Sequence, residues 1–188
     1  MKFWTERDAD WIKWIAPERF NDAELFRIVT FFVFHSPCKD LSSMGKSLSE
    51  YGWKMPWSKP YYLNKQLKQA ATNPNLLFSA SKYEAMEETL EKAGLKDSFP
   101  SDFSMERICI YDVKKNQFMS VFYHIRNSLA HGRLNMVDIG GECIFILEDF
   151  TGRGKDLVKV SARMILRKNT LLKWIEIIEN GQCEYRER

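Results

Sequence analysis

Between Phe118 and Leu129 apolar side chains recur three and four residues apart, at Phe118, Val121, Phe122, Ile125 and Leu129. At about 100° per residue they share one side of a helix, the side that must meet a core. Ser120, His124, Asn127 and His131 share the opposite side, with Arg126 on the flank between the two. Asn127 and His131 stand four apart, one above the other. Gly132 follows as the residue best able to take the left-handed conformation that ends a helix. The pattern predicts a helix over 112–133 with His131 at its last turn, where the negative end of the helix dipole favours a protonated imidazole.

The same reading extends along the chain. Trp4, Trp11, Trp14 and Ile15 predict a short helix before Pro17, and Asn21 with Glu24 predicts the cap of a second helix that runs through Phe34 and is apolar almost all round. A short helix is expected over Leu41–Tyr51. Trp53–Tyr62, with two prolines and four large aromatics beside Lys54 and Lys59, reads as an irregular loop. Such a mix can stack bases, but a loop pinned by its own rings is the better reading. Asn64–Ala71 looks helical. Ser81 with Glu84 opens another helix, lined by Tyr83, Met86, Leu90 and Ala93 and closed by Gly94. Ile108–Tyr111 fits a short strand or an irregular lead-in.

After Gly132 the period becomes extended. Leu134–Ile139, the Gly140–Gly141 pair and Glu142–Glu148 predict a hairpin, and LVKV adds a third strand. From Ala162 a helical period returns through Ile178 until Asn180 and Gly181. One domain over 1–188 is predicted, with a motif helix at 112–133, a β segment at 134–161 and a C-terminal helix at 162–181.

Composition narrows the class. With 188 residues, 45% of them hydrophobic and 14% aromatic, the chain can bury an ample core. Its start has no apolar run suited to a signal peptide, and IVTFFVF is too short to span a bilayer, so a cytoplasmic protein without a membrane partner is expected. Cys38, Cys109, Cys143 and Cys183 are scattered, which argues against a zinc site or structural disulfides. No cofactor or metal is implied. A formal charge of +3 is compatible with an RNA partner without demanding one.

The residues Ile125–Gly132, IRNSLAHG, resemble the signature of the HEPN superfamily, in which an arginine and a polar residue precede a histidine with about four to six residues between. Arg126, Asn127 and His131 fill these places. The resemblance implies a mainly α, HEPN-like helical bundle with a small antiparallel β-hairpin or three-stranded sheet between the motif helix and the C-terminal helix. It implies a homodimer whose two motifs line one cleft, and a metal-independent endoribonuclease of toxin–antitoxin or phage-defence type, with an antitoxin or inhibitor as a further partner.

The residue chemistry agrees with that class. RNA carries its own nucleophile, so cleavage needs a base for the 2′-hydroxyl proton, an acid for the leaving oxygen and positive charge on the phosphate. His131 suits proton transfer, Arg126 a phosphate oxygen, and Asn127 the orientation of either. His124 and Arg133 are candidate substrate contacts, although a surface histidine without a role explains the first equally well and an arginine after a helix is commonly just solvated. The basic residues Arg153, Lys155, Lys159, Arg163, Arg167, Lys168 and Lys173 read first as a solvated face and second as an RNA-tracking surface. The alternative function is a catalytically inactive HEPN dimer that binds RNA or a protein.

Overall fold

The computed structural model of the chain describes residues 22–38, 44–54, 60–96, 100, 102–113, 116–151 and 159–181. The helix expected over Phe3–Ile15 lies outside these residues, as do positions 55–59 of the aromatic loop and Arg153 and Lys155.

Five strands form one mixed sheet: β1 (Leu77–Ala80), β2 (Arg107–Tyr111), β3 (Leu134–Ile139), β4 (Glu142–Thr151) and β5 (Lys159–Arg167), in the order β1-β2-β5-β4-β3. β1 and β2 run parallel, from Leu77 opposite Ile108 to Ala80 opposite Tyr111, and every other pair is antiparallel. The helices are α1 (Ala23–Thr30), prolonged by a π-helical turn over Phe31–His35, α2 (Pro60–Ala70), α3 (Met86–Lys92), α4 (Gln117–Ala130) and α5 (Lys168–Asn180). Among the described residues no helix is long and apolar enough to cross a membrane.

This sheet overturns the expected mainly α, HEPN-like bundle. The three antiparallel strands after the motif helix are present, but β2 and β1 extend them into an α/β sheet clothed by helices on both faces. Two features hid this. β5 runs to Arg167 instead of yielding to helix at Ala162, and it is buried over Val160–Leu166. A strand covered on both faces needs no polar alternation, so its ARMIL run mimics a helix. β1 is only four residues long, and it gains order through its parallel partner rather than through a local turn.

Alternation assigns the two cores. Ile108, Ile110, Phe145, Leu147, Ala162, Met164 and Leu166 meet α1, α2, α4 and α5 on one face. Cys109, Ile144, Ile146 and Ile165 meet Met86 and Leu90 of α3 on the other. In the larger core Trp174 of α5 is fully enclosed, edge-on to Phe118 at 5.4 Å, and its Nε1–H donates to the Leu67 carbonyl at 2.8 Å. Burying a side chain of this kind stabilises the fold by roughly 1.5–3 kcal/mol, provided its N–H is satisfied. α1 is capped by Asp22, whose carboxylate accepts from the Glu24 and Leu25 N–H groups. Residues 44–54 form turns rather than the expected helix. Trp53 is buried there, and its Nε1–H donates to the Ile178 carbonyl at 3.1 Å. Gly181 passes so close that a Cβ on it would sit 2.5 Å from the Tyr51 carbonyl oxygen.

Candidate active site at the end of α4

α4 begins where Asn116 accepts the Phe118 N–H, and it is helical over Gln117–Ala130, a narrower span than 112–133. It crosses one end of the sheet from edge to edge. Gln117 donates to Ser79 on β1, His124 meets the Tyr111 carbonyl at the end of β2, and the chain leaves through Arg133 into β3. The exit is a Schellman turn: Gly132, at φ +64°, donates to the Leu129 carbonyl, and Arg133 donates to that of Ser128. That close fixes where His131 and Arg133 stand.

The apolar stripe is buried, with Phe118, Val121, Phe122 and Ile125 fully enclosed. The polar stripe is largely buried too, because it faces the strand ends rather than solvent. Ser120 and His124 are enclosed, Asn127 is half-buried, and His131 alone is exposed. Exposure therefore rises along the stripe toward the helix end.

The residue that organises this stripe is one that sequence reasoning missed. Asp149 of β4, 2% exposed, accepts from Asn127 Nδ2 at 3.2 Å, and the same Oδ2 lies 2.8 Å from His124 Nδ1. Its other oxygen is 3.8 Å from the Arg133 guanidinium, which also lies over the Phe150 ring at 4.5 Å. Asn127 is oriented from both ends, since its Oδ1 accepts from Arg126 Nη1 at 3.0 Å. The signal was legible: Glu148 and Asp149 interrupt an otherwise apolar strand, and buried carboxylates require partners.

His124 is corrected as well. It is 1% exposed, and its two ring nitrogens face the Asp149 carboxylate and the Tyr111 carbonyl, each at 2.8 Å. It lies beneath the site against Asp149, enclosed rather than at the surface. Asn127 and Arg133 are drawn together around Asp149, and Arg126 joins them through its bond to Asn127. His131 stands beyond them: its backbone N–H donates to the Asn127 carbonyl at 3.0 Å, and its ring is in solvent.

Two further groups complete the surroundings. Burial raises the Asp112 carboxyl above its ordinary range, against the opposing effects of Ser79 and His124. Burial, reinforced by the Asp149 charge, holds the Tyr83 phenol well above its usual range while its hydroxyl donates to the Val160 carbonyl. Neither is a proton donor of ordinary strength. Burial also pushes the Cys109 thiol up to about 12, which leaves it inert as a nucleophile.

The basic stretch does not converge. Arg163 is buried against Glu148, Arg167 pairs with Glu142, Lys168 lies between Asp22 and Glu24, and Lys159 sits over the Tyr83 ring. Only Lys173 among its described members fits the expectation of a solvated cation. No protein-family model matches the chain, and no curated protein or solved structure matches it either.

Proposed function

We propose that the protein is a metal-independent endoribonuclease whose chemistry takes place at the C-terminal end of α4. One observation carries the reading. An exposed residue, His131, follows directly on a turn whose asparagine is oriented by a buried carboxylate and in turn accepts a hydrogen bond from the neighbouring arginine. Enclosing Asp149 and His124 costs solvation that an apolar pair would not, and such arrangements concentrate at functional sites.

On this reading His131 removes the 2′-hydroxyl proton, the 2′-oxygen forms a bond to phosphorus, and the bond from phosphorus to the 5′-oxygen breaks. The departing oxygen takes a proton, leaving a 2′,3′-cyclic phosphate and a 5′-hydroxyl. Arg126 and Arg133 supply positive charge to the phosphate, and Asn127 fixes the Arg126 guanidinium. One chain offers one exposed imidazole, whereas the reaction needs both a base and an acid. Two copies meeting at this helix end, as the HEPN-like motif implies, would supply the pair. A cytoplasmic toxin or phage-defence effector, restrained by an antitoxin or inhibitor, is the role that fits such an activity. The architecture lends no weight to this reading, because the five-stranded sheet is not a helical bundle; the motif and its local geometry do.

A second reading rests on Asn127. Its carboxamide is engaged at both ends, as in a module that binds RNA or a protein without cutting. Purified protein incubated with RNA in EDTA decides between the two. Cleavage with cyclic-phosphate ends, reduced about a hundred- to ten-thousand-fold in His131→Ala, is the expected result. Equal cleavage by variant and wild type would sink the ribonuclease, and salt-sensitive binding without cleavage would establish the module.

A further inference from the structure

The aromatic segment that precedes α2 is divided by the fold. Trp53 is 1% exposed, whereas Tyr61 and Tyr62, in the first turn of α2, are 69% and 40% exposed. Their rings stand edge to face, with centroids 5.5 Å apart. The expected loop, pinned by its own rings, is thus only partly realised: these two are held outward. Leu63 and Leu67 turn the inner side of α2 into the core, so Tyr61, Lys65 and Gln69, four residues apart, line its outer side. Lys68 flanks them, and α2 contains no acidic residue. Beside this strip a groove of about 370 Å³ runs between α2 and α5, walled by Gln66, Gln69, Lys173, Glu176 and Asn180. Its one carboxylate, Glu176, lies 3.8 Å from Arg27, which also binds Glu179.

We infer that this face of α2, with the groove to α5, is a docking surface for single-stranded RNA. Tyr61, with Tyr62 edge to face beside it, offers an exposed aromatic surface on which any base can stack, lysines at helical spacing offer charge to successive phosphates, and the carboxamides in the groove suit base edges and sugar hydroxyls. Tyr61 to Lys68 spans about 10 Å of helix. A protein partner of apolar chemistry would leave the lysines and carboxamides of this strip unmatched. An acidic partner would leave the tyrosine faces unused. Single-stranded RNA uses all three kinds of group. The inference deepens the ribonuclease reading by giving the substrate a hold apart from the α4 end.

Fluorescence anisotropy with a labelled unstructured RNA 12-mer tests it, using the full chain carrying His131→Ala so that binding is read without cleavage. Adding Tyr61→Ala and Tyr62→Ala should weaken binding about ten- to a hundred-fold. Adding Lys65→Gln and Lys68→Gln should flatten the dependence of log affinity on log salt by about 1.4. Tyr61, Tyr62 and Lys65 are exposed and Lys68 is half-buried at their flank, and an unchanged circular dichroism melt confirms that the fold is kept. Binding that is absent, or indifferent to both pairs of substitutions, overturns the inference, as would a preference for a duplex of the same length. In the otherwise wild-type protein the tyrosine pair should raise KM and leave kcat alone. If the wild type binds through this face but cuts nothing, the ribonuclease reading fails and the docking surface stands.

Discussion

Glu148 and Asp149 are neighbours on β4 and are equally deep, at 1% and 2% exposed, yet the pleat sends them to opposite faces of the sheet. Glu148 accepts from Arg163 Nε at 2.9 Å, and Arg163 spends Nη1 on the Leu95 and Lys96 carbonyls at 3.0 and 2.7 Å. That ion pair closes on backbone and locks the segment after α3 to the sheet. Asp149 instead gathers side chains that lead outward, from enclosed His124 through half-buried Asn127 to Arg133, whose side chain is 30% exposed. Two carboxylates of similar burial thus have different uses. The first fastens one piece of the fold to another, while the second orients groups that a ligand can reach.

The contrast can be broken at either end. Glu148→Gln leaves the Arg163 charge in the core without its counter-charge and should cost about 3–5 kcal/mol. For a chain of this length that lowers the thermal midpoint by about 6–20 °C, while on the ribonuclease proposal cleavage per folded molecule should stay at the wild-type value. A midpoint within about 2 °C of wild type would remove the fastening role. Asp149→Asn keeps the shape and one acceptor but removes the charge, so it should cost less stability, about 1–3 kcal/mol. On the ribonuclease proposal its larger effect should be on turnover, down about ten- to a hundred-fold through misplacement of Arg133 and of Asn127, which carries Arg126. If the two variants lose turnover equally, the division between them fails.

The smallest effect concerns Asp112, beside His124 at the end of β2. One of its oxygens, Oδ1, is buried without a hydrogen-bond partner, and burial raises its carboxyl above the ordinary 3.8. A carboxyl raised in the folded state favours folding while protonated, and that contribution is lost as the pH climbs through the folded value. Asp112→Asn should therefore raise the thermal midpoint slightly at neutral pH. The gain should shrink as the pH falls toward 3.8, and a gain that grows on acidification would reverse the assignment.

Local pattern read α4 well, because its apolar stripe is periodic and Gly132 marks its end. The β3–β4 hairpin was equally plain, its turn marked by Gly140 and Gly141, both at positive φ. What pattern could not supply was pairing at a distance. β1 has its partner about thirty residues on, and β5 shows no alternation because both of its faces are covered. The candidate site divides along the same line. Arg126, Asn127 and His131 lie within one helix and its exit, so their spacing is a local fact. Asp149 enters from another strand, and only the folded register brings it under His124. Without it, the polar stripe reads as facing solvent and His124 as a surface group.

The hydrogen bond from Trp53 to the Ile178 carbonyl joins residues 125 positions apart, and Gly181 lies against the Tyr51 carbonyl. Early and late portions of the chain therefore interlock, and Trp174 fills the space between α2 and α4 only once α5 has formed. On the ribosome, the apolar sides of α1, α2 and α4 emerge well before the segment that seals them. A chain cut short before α5 would lack Trp174 and leave Leu67, Phe118 and Phe122 uncovered, so such a truncation should be aggregation-prone.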